Sequence, residues 1–228
     1  MATLSRSKED YLKALYTLGS SRAAVAPSRL AIQLGVSAPS VTNMLARLVA
    51  ERLVTHAPQT GARLTQRGRR RALEIVRRHR ILEAFLVSVL GLDWSEVHAD
   101  AEVLEHHVSD RVLDAIDRLM GHPQEDPHGH PIPDARGRVR RRPLVALVTL
   151  RPGAAAVVRE IHDADERRMA RWKETGLVPG AKVKVRDVRP VDDVFELEVE
   201  GRTMLTGSEG LEGVMVEARS GEAHVRAS

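Results

Sequence analysis

Apolar positions recur at helical spacing through the first quarter of the chain. In SKEDYLKALYTLG (7–19), Tyr11, Leu12, Leu15 and Tyr16 fall on one face, with Ser7 placed to cap the helix and Gly19 to stop it. Pro27 and Ser28 open a shorter helix that turns Leu30, Ala31 and Leu34 inward and ends at Gly35. Ser37 caps a third, SAPSVTNMLARLVAERL, whose expected buried stripe is Val41, Met44, Leu45, Leu48 and Val49. The period then changes. LVTHAPQTGARLTQRG alternates about a turn at Thr60-Gly61, which predicts a two-stranded hairpin. Two helices joined by a Gly-containing turn and followed by a hairpin make a winged helix-turn-helix.

Helical spacing resumes near Gln66, begins again near Trp94, and returns in DRVLDAIDRLM (110–120), which Gly121 and Pro123 end. There Val112, Leu113, Ile116 and Leu119 suit either a domain core or a dimer seam. The stretch GHPQEDPHGHPIPDARGRVRRRP (121–143) is the clearest boundary, and its RVRRR run reads as solvated linker charge. Beyond it, strand-like runs flank Arg151-Pro152-Gly153, a short helix covers DERRMARWKETG, and AKVKVRDV, VFELEVEGR and GVMVEA alternate as strands. Short strands separated by Gly turns predict a small β-barrel. The fold class is therefore α+β multidomain: a winged helix-turn-helix over 1–72, a helical domain with its linker over 73–142, and a barrel module over 143–228.

Hydrophobic residues make up 43% and charged residues 29% of the 228, ordinary globular values. No run approaches 18 apolar residues and MATLSRSKEDYLKALY lacks a signal-peptide core, so the expectation is a soluble, cytoplasmic protein without a membrane partner. With no cysteine, any metal must be held by His, Asp, Glu or backbone oxygen. The net charge of +4 is unevenly spread. Residues 1–72 hold twelve basic and three acidic side chains, a net +9, which leaves −5 for the rest. A basic block beside an acidic, His-rich remainder suits a nucleic-acid reader fused to another function.

A recognition helix enters the major groove of double-stranded DNA by its N-terminal residues, which should be small or hydrogen-bonding. Ser37, Pro39, Ser40, Thr42 and Asn43 meet that description, and Asn43 can bond adenine bidentately. Arg29, Arg47 and the wing's Arg63 are placed for phosphates. The plain alternative for Ser37 and Thr42 is capping or solvating the helix.

Seven of the ten histidines lie between 79 and 130: His79, His98, His106, His107, His122, His128 and His130. His79 and Glu83 are four apart on one helix. His98, Glu102, Glu105 and His106 step by four, three and one, so Glu102, Glu105 and His106 can converge on one ion. A solvated face explains HxxxE alone. ExxEH is stronger, because carboxylates in successive turns repel unless a cation lies between them. The HExxH pattern of zinc proteases is absent and no nucleophile or acid–base pair stands out, so no enzyme and no organic substrate are expected.

EDYLKALY (9–16), SAPSVTNMLARL (37–48), RHRILEAFL (78–86), AEVLEHH (101–107) and PHGHPIP (127–133), with the module after them, resemble the diphtheria-toxin-repressor family of metal-dependent regulators, particularly its manganese-responsive branch. The resemblance spans nearly the whole chain. It implies an SH3-like (FeoA-type) C-terminal domain, a helical dimerisation domain, and a homodimer that represses metal-uptake genes from a palindromic operator. It also implies a primary metal site of Asp10, Glu102, Glu105 and His106. The iron-responsive branch carries Met and Cys at the first and second of these positions. Asp10 and Glu102 are hard oxygen donors, which favours Mn²⁺, with Fe²⁺ as the second choice. Lys13 stands where some small manganese regulators carry a carboxylate, a departure from their binuclear pattern. The resemblance further implies an ancillary site, of either His79, Glu83 and His98, or Glu83, Asp126 and His128, completed by Asp163 or Asp165. Asp126 stands where relatives with this segment carry Cys. Two other classes stay open: a winged-helix regulator of an organic effector with a structural His/Glu cluster, and a metal-dependent hydrolase with a basic domain.

Overall fold

The computed structural model describes residues 4–19, 23–57, 60–140, 142–162 and 165–218. They form two compact units. The first takes the chain up to His79 together with 105–108 and 133–139, and the second takes 80–104, 109–132 and the chain from 140 onward.

In the first unit, helices α1 (Arg6–Leu18), α2 (Pro27–Leu34) and α3 (Ala38–Ala50) precede strands β1 (Val54–Ala57) and β2 (Gly61–Leu64). The hairpin pairs antiparallel, Val54 with Leu64 through Ala57 with Gly61, and Val25 bridges Ala62 from outside it. Tyr11, Leu12 and Leu15 of α1 share one core with Leu30, Val41, Leu45, Leu48, Leu53 and Val54. At ~25 cal/mol per Å² of apolar surface, that burial is the main force holding helices and wing together. The long helix α4 (Gln66–Ser88) begins against the wing. A Cβ on Gly68 would come 1.9 Å from the Leu53 carbonyl oxygen, so only glycine allows this approach.

Three local expectations change. The residue preceding α1 is Ser5, not Ser7, because the helix already includes Arg6. Val49 is 40% exposed, whereas Val41, Leu45 and Leu48 are fully buried and Met44 is half-buried. Position 49 lies just past the edge of a stripe that the 3.6-residue period makes narrow. The helix expected near Trp94 starts at Val97: Asp93 accepts the N–H and hydroxyl of Ser95 and fixes a turn ahead of it.

The second unit holds the latter part of α4, α5 (Val97–Leu104), α6 (Asp110–Leu119) and a six-stranded antiparallel sheet. Its strands are β3 (Val145–Ala146), β4 (Ala155–Ile161), β5 (Lys182–Arg189), β6 (Val194–Val199), β7 (Arg202–Thr206) and β8 (Val214–Ala218), in the order β3-β8-β4-β5-β6-β7. Helix α7 (Glu166–Thr175) packs Met169 and Trp172 into the sheet's core. The strand β7 went unread in the sequence. Its signal was Glu200-Gly201, both at positive φ (46° and 81°), which turns β6 back on itself. The result is the SH3-like module that follows the winged helix and the helical segment along the chain.

Candidate metal centre and DNA-reading surface

The turn carrying Glu105 and His106, in the first unit, is fixed from α4. The Arg78 guanidinium donates to the Glu105 carbonyl at 2.8 Å and to the Val108 carbonyl. This holds Glu105 (fully buried) and His106 (side chain 4% exposed) toward α1. There His106 Nδ1 meets Glu9 Oε2 at 2.7 Å, which orients the ring. Its other nitrogen, Nε2, lies 3.0 Å from Asp10 Oδ1 and 3.4 Å from Glu105 Oε1. Among the described residues, His106 Nε2 and Glu105 Oε1 are shielded from solvent and make no hydrogen bond. Buried polar atoms are almost always paired, so lone pairs gathered this way suit a cation. The second oxygen of Glu105 is otherwise engaged: Lys13 Nζ donates to Oε2 at 2.8 Å, and His79 Nδ1 lies 2.6 Å from it.

Of the expected set Asp10, Glu102, Glu105 and His106, the structure brings Asp10, Glu105 and His106 together in the first unit. Sequence reasoning missed Glu9, Arg78 and the bond from Lys13 to Glu105. The signal for Glu9 and Lys13 was their spacing on α1, since 9 and 13 are four apart and flank Asp10. His79, expected in an ancillary set, also has its Nδ1 2.6 Å from Glu105 Oε2.

The second unit places the other expected ligands. Glu83 takes His98 Nδ1 at 3.1 Å and faces His128 Nδ1 at 3.6 Å, while His98 Nε2 is 3.5 Å from Glu102. His128 donates Nε2–H to the Trp94 carbonyl at 2.7 Å. Burial works against the His128 cation, but the bond and charge of Glu83, the charge of Asp126 and the Trp94 carbonyl outweigh it and raise its pKa. Asp126 is a turn hub. Its Oδ1 accepts the N–H groups of His128 and His130, both at 2.9 Å, and Oδ2 holds His130 Nδ1 at 3.2 Å. Asp165 caps α7, accepting the N–H groups of Arg167 and Arg168. Asp163 lies outside the described residues.

On the reading side, Arg29, Ser37, Pro39, Ser40, Thr42, Asn43, Arg47 and Arg63 are all exposed. Two of the hydroxyls also serve the helix. Ser37 Oγ accepts the Ser40 N–H at 3.4 Å, and Thr42 donates to the Ala38 carbonyl at 3.1 Å. Asn43 and Arg47 share an exposed face of α3. No helix among the described residues is long and apolar enough to cross a membrane.

Comparison with known proteins adds three family matches. Residues 3–62 match the N-terminal DNA binding domain of iron dependent repressors, 65–134 their metal binding and dimerisation domain, and 145–218 the FeoA domain. The iron-dependent repressor IdeR of Mycobacterium leprae is 34% identical over 209 residues, covering 86% of this chain and 90% of its own. The diphtheria toxin repressor of Corynebacterium efficiens is 28% identical over 234 residues, covering 98% and 95%. A manganese-dependent transcriptional repressor, solved in complex with manganese, superposes with a TM-score of 0.87 at 38% identity, over 92% of this chain and 99% of its own. This chain belongs to the diphtheria-toxin-repressor family of metal-dependent transcriptional repressors.

Proposed function

We propose that the chain acts as a homodimer that represses metal-uptake genes, gripping a palindromic operator when Asp10, Glu102, Glu105 and His106 hold Mn²⁺, with Fe²⁺ as the weaker activator. The observation that carries the reading is the trio of buried ligand atoms on Asp10, Glu105 and His106, two of them without a hydrogen bond. Glu102 adds a fourth donor by its place one turn before Glu105 and His106. Three carboxylate oxygens and one imidazole nitrogen form a hard set, which suits Mn²⁺. Lys13 favours a single ion there. Its ammonium already neutralises one oxygen of Glu105, where a second cation would meet like charge.

Bound at this set, a divalent ion supplies the positive charge that lets the carboxylates lie together. Without it, Asp10 repels Glu105 and α1 loosens from the ExxEH turn. With α1 held, α3 keeps the position from which two copies reach successive major grooves. Metal and operator then raise each other's affinity, as linkage requires. The second unit supports pairing of two copies: Val89, Leu90, Leu92, Val103, Val112 and Leu119 are 42–69% exposed on and around its helices.

The test is fluorescence anisotropy of a promoter fragment from the protein's own genome with chelator-treated protein. Tight binding only with Mn²⁺, reversed by EDTA, is expected. Equal binding with and without metal would overturn the reading and point to an organic effector. In the same assay Asn43→Ala should lower discrimination between operator and random DNA by about 1–3 kcal/mol, as for a lost bidentate base contact. Arg47→Ala should weaken both equally.

A further inference from the structure

A second group of ligating side chains lies wholly within the second unit and takes no part in the function above. It consists of His130, Glu160 and His162, whose ligand atoms lie within 4.8 Å of one another. Glu160 and His162 are at the end of β4, and His130 is on the 126–132 turn. That turn is bonded to the strand, since Ile161 donates its N–H to the His128 carbonyl at 2.9 Å. Gly129 allows the approach. It has φ +83°, and a Cβ there would meet the Arg159 carbonyl oxygen at 1.7 Å, so the turn lies directly on the strand. On the other side of β4, His162 donates its N–H to the Gly213 carbonyl at 2.8 Å. Backbone bonds therefore hold all three residues in place, rather than long flexible side chains alone.

The side chains are poised as ligands. The rings of His130 and His162 stand 4.8 Å apart. His130 Nδ1 is taken by Asp126 at 3.2 Å, which leaves Nε2 to coordinate, in the carboxylate–histidine arrangement that orients metal-bound imidazoles. Asp126 is itself fixed by two backbone N–H groups and lies 3.5 Å from Arg80 Nε. Glu160, with a side chain only 14% exposed, meets His162 Nε2 at 2.7 Å. His162 is 48% exposed, which leaves an entry path.

We propose that His130, Glu160 and His162 form a separate divalent-metal site that fastens the 126–132 turn to β4 of the SH3-like module. Two imidazoles and one carboxylate give a more nitrogen-rich set than Asp10, Glu102, Glu105 and His106. It should take borderline ions of the Zn²⁺ and Co²⁺ kind in preference to Mn²⁺. An ion there replaces the Glu160–His162 hydrogen bond, so this site fills after the primary one when Mn²⁺ is the metal offered.

Co²⁺ is the probe, because its visible absorption reports nitrogen ligation. Full-length protein is stripped with EDTA and titrated, with bound metal counted by elemental analysis. His106→Ala should keep the nitrogen-ligated Co²⁺ signal, and His162→Ala and Glu160→Gln should each lose one bound ion per chain. An equal count in wild type, His162→Ala and Glu160→Gln would overturn the site. Anomalous diffraction from Co²⁺-soaked wild-type crystals gives a readout independent of any variant's folding. A peak between the three side chains supports the site, and its absence at saturating Co²⁺ overturns it. Neither measurement depends on DNA binding, so failure here and failure of the Mn²⁺-activated repressor reading are separate results.

Discussion

The first unit gathers Asp10, Glu105 and His106 with buried ligand atoms that face one another, and two of those atoms make no hydrogen bond. The second unit uses the same residue types differently. Glu83 binds His98, Glu160 binds His162, and Asp126 accepts two backbone N–H groups besides His130. One cluster leaves Glu105 Oε1 and His106 Nε2 without a hydrogen bond, while in the other the carboxylates are bonded to imidazoles and Asp126 lies beside Arg80. Residue type alone therefore does not rank metal sites. What ranks them is how many lone pairs the surrounding chain has already satisfied.

The sharpest way to break this comparison is to remove the internal cation of the first cluster. Lys13→Met takes the ammonium from the fully buried Glu105 carboxylate, and should cost about 3 kcal/mol of metal-free stability, as when one partner of a buried pair is lost. Urea unfolding in EDTA measures it, and added Mn²⁺ should stabilise the variant more than wild type. Unchanged metal-free stability would mean that Glu105 relies on His79 far more than on Lys13. Next in size, His106→Ala should weaken the Mn²⁺ response of operator binding on the order of 100-fold while leaving metal-free DNA affinity as it was. A wild-type Mn²⁺ midpoint in anisotropy would remove His106 from the ligand set.

Glu9→Gln tests the orienting bond. It should weaken Mn²⁺ about tenfold through loss of the carboxylate at His106 Nδ1, read by calorimetric titration. The smallest effect belongs to a carboxylate satisfied away from both clusters. The Lys173 ammonium, then the Ser95 N–H and hydroxyl, hold the Asp93 carboxyl down at about 2. A depressed carboxylate pKa adds stability that is present above the unfolded value of 3.8 and fades as pH falls through about 2. The Asp93 side chain is 36% exposed and its Lys173 partner 49%, so Asp93→Asn should cost less than about 1 kcal/mol at pH 7. Chemical denaturation at pH 7 and pH 3 should show the gap narrowing, and a gap that widens toward pH 3 would contradict the assignment.

Much of the architecture was legible because it is local. Helical spacing in α1 to α4 and α6, Ser37 before α3, Gly19 and Gly35 as stops, and the period-two strands of the module all follow from contacts within a few residues. The errors were local too. Ser5 precedes α1 in place of Ser7, Asp93 delays α5 to Val97, and Glu200-Gly201 hides the start of β7.

The sequence by itself determined the elements, the basic reading head, the oxygen and nitrogen donors available once cysteine is absent, and the ExxEH pattern at Glu102, Glu105 and His106. Only the tertiary structure decided which donors meet. His106 lies 97 residues from Glu9, Glu105 lies 92 from Lys13, and His79 lies 26 from the Glu105 carboxylate beside its Nδ1. The 126–132 turn likewise meets β4 through Gly129 and the bond from Ile161 to His128. Helical and strand periodicity are fixed by neighbours in sequence, whereas a ligand set is fixed by the packing of apolar faces that brings distant segments together.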